Sequence, residues 1–449
     1  MHKDTTNSSD MQENKSFSLS KARFSKSLNV DFDAPDISSN GGLMLCNMQG
    51  ALAAKIGKAL PHSRLKAFVD HTYEEMVCQR VGQIMCGYED ANDCDSLRHD
   101  SVLKLAVGSK TSDKALSSQP TMTRMENGIS KETLFVIAYL FLDHFIASYE
   151  KASRRIIIDA DDTNANTYGA KELSLFNDYY GEYCFMPLLL MEGYTGKMIL
   201  PILRPGRRNK SLNVHGILRR VIEYLHSVWP RTIFMLRGDS HFCSHDFMDW
   251  AHGKHYVEFL TGLSGNIALL KKVEKQCRMA KTSYEKHGKA VCRYYKFDYK
   301  AKSWKYSQRV IAKVEYNGNG ENVRFVITSN HNNSAETICR RYCRRGEMEL
   351  WIKDLKYFRA DRMSCSSFRA NFFRLFLHAA AYVMAYEMKH TLFAGTEVEK
   401  FTMDSFMKRI MLSAVYIVEK KTFIRVSFFP NHRHRHTGQT DQRWRTNSR

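Results

Sequence analysis

The run Arg154 to Asp161, RRIIIDAD, constrains the fold most: a β-branched stretch suited to a strand that ends in carboxylates. Two more strands are expected close behind, Tyr183 to Met191 and Met198 to Leu203, joined by the turn Gly193-Tyr194-Thr195-Gly196. So short a connection implies an antiparallel meander. A helix follows in SLNVHGILRRVIEYLHSVW, where Ile217, Leu218, Val221, Ile222, Leu225 and Val228 mark one face at helical spacing. Pro230 ends it, and Thr232 to Asp239, TIFMLRGD, reads as a fourth strand. A helical crossover of this length returns the chain parallel to an earlier strand. The order strand, strand, strand, helix, strand describes a mixed α/β sheet.

Period-two geometry puts Asp159 and Asp161 on one face of the first strand and Asp162 on the other. Bunched carboxylates repel unless a cation neutralises them, and oxygen-only ligands favour magnesium or manganese. Taken alone, IIIDADDT is more often an exposed acidic turn. The fourth strand also ends in an acidic residue, Asp239. If it lies beside the first, Asp239 and Asp161 emerge as neighbours at the edge where open α/β sheets usually carry function. A third element, YCRRGEMELWIKDLK, reads as a helix on which Tyr342, Arg345, Glu349, Ile352 and Lys356 form one stripe. That stripe is poorly suited to a dry core, but could hold a metal through Glu349 and phosphates through Arg345 and Lys356. In isolation it would read as a surface helix laced with ion pairs.

The formal net charge of +20 would attract a polyanion, which makes nucleic acid the first partner to consider, against a solvated basic surface or an anionic membrane face. Eleven cysteines lie scattered without a C-x-x-C pair, the nearest being Cys339 and Cys343, a pattern that fits a reduced cytosolic protein. The opening MHKDTTNSSD has no apolar signal core. The apolar run Leu134 to Leu142 is too short for a bilayer span and reads as a buried helix, so no membrane association is expected.

Along the chain, residues 1–40 suit a disordered arm, 41–150 a separate helical domain, and 151–255 the first part of the α/β core. Residues 256–330 change character: KAVCRYYKFDYK, KYSQRVIAKVEY and VRFVITS alternate as strands with NGNG as a hairpin turn, so this stretch should be mostly β. Residues 331–428 return to the core, with helices around 335–356 and 370–388 and a strand near 421–428, and 429–449 form a basic tail. The alternation His241, Cys243, His245 could bind zinc, but no fourth ligand is evident and a solvated segment is preferred. The run Arg204, Arg207, Arg208 in LRPGRRNK suits a phosphate-contact loop and a solvated loop about equally.

The spacing of Tyr342, Arg345, Glu349 and Lys356, Y-x2-R-x3-E-x6-K, resembles the signature of bacterial insertion-sequence transposases with a D-D-E metal triad. Within that group the chain looks most like insertion-sequence family thirteen-eighty, through GYEDANDCDSLRHD, LSSQPTMTRMEN, DADDTNANTYGAKELSLFNDYYGEYCFMPLLLMEGYTGKMILPILRPG, LRGDSHF and DRMSCSSFRANFFRLFLHAAAY. The resemblance implies a ribonuclease-H-like mixed sheet with flanking helices, interrupted by a β-rich insertion and preceded by a helical N-terminal domain that binds DNA. It implies that Asp161, Asp239 and Glu349 hold two magnesium ions, manganese able to substitute, with Asp159 a rival for the first position. Water would release a 3′-hydroxyl at the transposon end, and that hydroxyl would attack target DNA. Tyr342, Arg345 and Lys356 would grip phosphates or a displaced base. The implied partners are terminal inverted repeats and target DNA, bound by a homodimer in the bacterial cytoplasm in association with the nucleoid. A metal-dependent nuclease of the same fold and an inactive DNA-binding descendant of a transposase are the competing readings.

Overall fold

The computed structural model describes residues 36–48, 50–61, 69–169, 171–207 and 214–429 in full, and the backbone of 17–19 and 28–30. Most of the expected N-terminal arm, Arg208 and the tail beyond Phe429 lie outside the described residues.

The first half is helical: α1 (Leu52–Ala59), α2 (Tyr73–Met85), α3 (Asp93–Leu97), α4 (Ser101–Ala106), α5 (Gln119–Asn127) and α6 (Lys131–Ala147). Short polar side chains start several of them, as where Thr72 accepts from the Glu75 amide and Ser130 from the Thr133 amide. Helix α6 is amphipathic rather than wholly buried: Leu134, Ile137, Phe141 and Phe145 face the core while Phe135, Val136 and Tyr139 stay exposed. The apolar run hides this, because the residues on the outer face are also apolar.

The sheet begins with β1 (Arg155–Asp162). Three short strands follow, β2 (Ala165–Asn166), β3 (Leu175–Asn177) and β4 (Glu182–Phe185), which make a small sheet of their own in the order β2-β4-β3. The chain then returns with β5 (Leu188–Glu192), β6 (Met198–Ile202), α7 (Val214–Val228), β7 (Ile233–Gly238), α8 (His245–Ala251) and β8 (Val257–Leu263). The single strand expected over 183–191 is therefore two, belonging to different sheets. Met186 and Pro187 divide them, since proline supplies no amide for a continuing ladder.

Within the stretch 256–330, expected to be mostly β, residues 267–287 are helical. They form α9 (Ile267–His287), whose buried Leu269, Val273, Cys277 and Ala280 make a narrow stripe on an otherwise charged helix. The Asn266 side chain caps its start, and Gly288, at φ 63, ends it in the left-handed conformation. After it, β9 (Val291–Tyr299), β10 (Gln308–Asn317) and β11 (Gly320–Thr328) run antiparallel, with β11 paired to β8. These strands continue the main sheet, whose spatial order is β9-β10-β11-β8-β7-β1-β5-β6. Within it, β6-β5-β1-β7-β8 is the ribonuclease-H-like core: β5 runs antiparallel to its neighbours β1 and β6, while β7 and β8 run parallel to β1.

Both faces of β1 are covered, which is why its isoleucines run without alternation. Ile156 and Ile158 join the large core, while Ile157 packs with Met235, Leu260, Ile311 and Val326 beneath Ile338 and Cys339 of α10 (Ala335–Cys343). The chain continues through α11 (Gly346–Tyr357) and α12 (Phe368–Thr391). Helix α12 packs against α1, α2, α5 and α6 on one side and β6 on another, so the N-terminal helices and the sheet share one core. The strand expected near 421–428 is Ile424–Phe428, and it pairs with Val415–Glu419, which in turn pairs with Ile37–Ser38.

Candidate active site

Strand register brings the first two acidic positions together. Strand β7 pairs with β1 so that Arg237 stands opposite Asp159 and Gly238 opposite Ala160, which leaves Asp239 leaving the sheet beside Asp161. Asp239 then caps a short turn, its Oδ1 accepting from the His241 amide at 2.8 Å and its Oδ2 lying 2.7 Å from His241 Nδ1. Close approach fixes this turn. A Cβ on Gly238 would lie 2.7 Å from the Phe242 ring, and one on Gly262 of β8 would lie 2.7 Å from the Tyr342 hydroxyl and 2.9 Å from the Ser240 amide.

Asp159 and Asp161 share a face but have different environments. Asp159 is fully buried, and both its oxygens accept from the Arg237 guanidinium at 2.5 Å, with Arg237 also donating to the Arg341 and Gly193 carbonyls. It is a closed ion pair inside the protein. Asp161, one pleat farther out, opens into a cleft of about 620 Å³. Its Oδ1 accepts from the Asp162 amide at 2.9 Å and its Oδ2 from Arg345 Nη1 at 2.9 Å. Burial pushes the Asp161 carboxyl up to about 6, Arg345 opposing and the neighbouring Asp239 and Asp162 adding to the rise.

The helix expected over Tyr342 to Lys356 is broken. Helix α10 ends at Cys343 and α11 begins at Gly346, with Arg344 and Arg345 in the turn between them. Glycine at the start of α11, with its low helix propensity, favours the interruption. The stripe is nevertheless kept in space. Arg345 reaches Asp161, its Nη2 lies 3.9 Å from Glu349 Oε1, and Tyr342 packs beside it against β8. Burial raises the Tyr342 hydroxyl pKa, with Asp239 adding and Arg345 opposing. Lys356 faces a second cleft, where its Nζ donates to Asn164 Oδ1 at 3.2 Å.

Asp161, Asp162, Asp239, Arg345 and Glu349 all line the first cleft. Arg345 separates Asp161 from Glu349, and among the described residues no three His, Cys, Asp or Glu side chains stand together as a ready cage for a metal ion. The donor set still suits a hard cation: carboxylate oxygens from two strand ends and one helix, with a guanidinium standing in for positive charge between two of them.

The run Arg204, Arg207, Arg208 divides. Arg204 is buried, paired with Asp162 and donating to the Met186 carbonyl at 3.1 Å, so it ties β6 to the end of β1 instead of serving an exposed phosphate-contact loop. Arg207 is exposed on the cleft wall. Among the wall residues not expected at this site are His241, on Asp239, and Tyr179 and Tyr180, in the turn between β3 and β4. The available signal was a pair of tyrosines inside FNDYYG, a turn where apolar burial offers no reason for aromatics.

No helix among the described residues is long and apolar enough to cross a membrane. No curated protein matches the chain. Among solved structures, the piggyBac transposase in a synaptic complex with hairpin DNA is similar over 82% of this chain and 76% of that one, at 10% identity and a TM-score of 0.44. The family model described as "Transposase DDE domain group 1" matches residues 20–439, and the chain belongs to that family of transposase domains.

Proposed function

We propose that this chain is a DNA transposase of the insertion-sequence thirteen-eighty kind, which cleaves at transposon ends and joins the freed 3′-hydroxyl to target DNA. The observation that carries the reading is the convergence of Asp161, Asp239 and Glu349 from β1, β7 and α11 on one cleft. These three would hold magnesium, which when bound activates the attacking oxygen and stabilises the leaving one. With a cation held there, Arg345 would be free to leave Asp161 for a DNA phosphate, the guanidinium fork suiting either oxyanion. His241 holds the Asp239 carboxylate in a fixed orientation, and Asp159 with Arg237 forms the rigid floor beneath Asp161. Tyr342 and Lys356 lie on either side of Arg345 along the α10–α11 path, where they would steady the transposon end, with Arg207 on the cleft wall. The helical segment 41–150 and the strands of 256–330 would carry recognition of the terminal inverted repeats, with a homodimer spanning the two ends in the bacterial cytoplasm.

The test is Glu349→Gln. On a duplex bearing the inverted repeat that brackets the gene, cleavage in magnesium is expected to vanish while binding of the duplex survives; undiminished cleavage refutes the assignment. Products of the unaltered protein separate transposition from simple hydrolysis, since a nuclease leaves cut ends without strands joined to target.

A further inference from the structure

The small sheet β2-β4-β3 and its turns carry several exposed aromatic residues that no part of the metal chemistry uses. Tyr179 is 87% exposed, Tyr168 86% and Tyr183 60%. Side chains of this size gain nothing by standing in water, and their concentration beside a functional cleft calls for a partner. Tyr179 and Tyr180 line the cleft that holds Asp161, Asp239 and Glu349. Their rings meet edge to face, 4.9 Å between centroids and 89° apart.

The pair is held from beneath. Asn177 is buried, its Oδ1 accepts from the amides of Tyr179 and Tyr180 at 3.0 and 3.3 Å, and its Nδ2 donates to the Gly206 carbonyl at 2.7 Å. Its own carbonyl accepts from Gly181, which at φ 68 closes the turn. Two rings on a backbone anchored this way, Tyr179 exposed and Tyr180 half-buried beside it, are prepositioned and lose little freedom when something stacks on them.

A second cleft, of about 610 Å³, lies next to the first. Two elements lead from one to the other: the chain after β1 passes from Thr163 in the first to Asn164 and Asn166 in the second, and α11 passes from Glu349 and Ile352 to Lys356. The second cleft is lined by Tyr168, Lys171, Lys356, Arg359 and Arg362. Arg362 is engaged with Glu89 and Asp90, and Lys171 donates to the Ser364 carbonyl. Arg359 forms no ion pair among the described residues, and its backbone stands at φ 57, a conformation unusual for a residue with a side chain. Aromatic faces at one end and cations at the other are the two components by which proteins hold single-stranded nucleic acid.

We propose that Tyr179 and Tyr180 are a stacking platform for unpaired bases of a DNA single strand that runs from the carboxylate cleft to the Lys356–Arg359 cleft, where its phosphates are held. This rests on the reading of the chain as a DNA-cleaving enzyme, and its test uses neither metal nor cleavage. Full-length protein in EDTA is titrated against fluorescein-labelled oligothymidylate and against an abasic oligomer of equal length, which offers the same phosphates without bases. The unaltered protein is expected to prefer oligothymidylate by about 5- to 150-fold for one stacked base. Tyr179→Ala with Tyr180→Ala should bring that affinity down to the abasic level and leave abasic binding unchanged, whereas the corresponding Phe pair keeps the preference. Arg359→Ala should weaken both oligomers equally and reduce the salt slope by about 0.7. Equal affinity of the unaltered protein for the two oligomers overturns the platform. So does an Ala pair that retains the preference or weakens both ligands in parallel, and so does stronger binding of oligouridylate than of oligothymidylate. A chain that cuts duplex DNA without discriminating the oligomers refutes the platform alone, while tyrosine-dependent discrimination without any duplex cleavage refutes the transposase reading alone.

Discussion

Asp159 has both oxygens on Arg237 in a site without solvent, whereas Asp161 shares a cleft with four other carboxylates and two guanidiniums. Burial pushes both carboxyls up to about 6, but Asp159→Asn strands a guanidinium with no access to solvent whereas Asp161→Asn leaves Arg345 facing the cleft, so opposite responses to the same isosteric change follow. Asp159→Asn leaves a buried guanidinium without its counter-charge and should cost about 3–5 kcal/mol of stability. For Asp161 the folded pKa is raised from 3.8 to about 6, so the folded state disfavours its charge, and the cost grows as pH rises between those values and is complete above them. Asp161→Asn should therefore stabilise the metal-free protein at pH 7.5 by on the order of 1–3 kcal/mol, since each pH unit between the unfolded and folded values is worth about 1.4 kcal/mol. Urea unfolding in EDTA checks both, and destabilisation by Asp161→Asn would show that Arg345 outweighs burial there. Alternation along IIIDADD was enough to place the two residues on one face. It could not say which was buried, because that depends on Arg237, which only the register of β7 on β1 brings alongside.

Glycines set how closely the elements around Asp239 approach. Gly262 of β8 leaves room for the Tyr342 hydroxyl and the Ser240 amide, so Gly262→Ala must push α10 and the Asp239 turn away from the sheet. A loss of about 1–3 kcal/mol is expected, as for other overpacked sites, together with weaker cleavage. Gly216 in α7 is the control, since an added Cβ there meets nothing within 4 Å. Gly216→Ala should raise stability by up to about 1 kcal/mol through helix propensity alone. Thermal melts of the two variants test the pair, and equal effects would mean that the contacts at Gly262 yield without cost. Elements with a strong pattern, the apolar runs of β1 and β7 and the helical spacing of α7, were legible in the sequence. Those governed by a single backbone event were not: Pro187 divides an apolar run between two sheets, the Arg344–Arg345 turn breaks a helix, and α9 hides its four buried residues among charges.

Helix α12 makes the molecule one body, and its all-round apolar surface was legible as a core helix. That it serves the N-terminal helices as well as the sheet was not, because its partners on α1 and α2 lie some three hundred residues earlier in the chain. At its centre His378 is fully buried, Nδ1 on the Phe358 carbonyl at the end of α11 and Nε2 without a partner among the described residues. Burial holds its pKa well below 6.5, and the nearby Arg374 and Arg80 push it the same way. The folded protein therefore keeps His378 neutral where the unfolded chain protonates. Its contribution is constant above about pH 6.5 and is lost as pH falls below that value, by up to about 1.4 kcal/mol per pH unit. His378→Asn should lower the melting temperature at neutral pH and flatten its decline between pH 6.5 and 5. Because the helices and the sheet share the core around this residue, the whole chain should shift in one calorimetric transition. Parallel pH profiles for the two proteins would remove His378 as the source of acid sensitivity. Two separate transitions, with only one displaced by the substitution, would show that the N-terminal helices fold independently of the sheet.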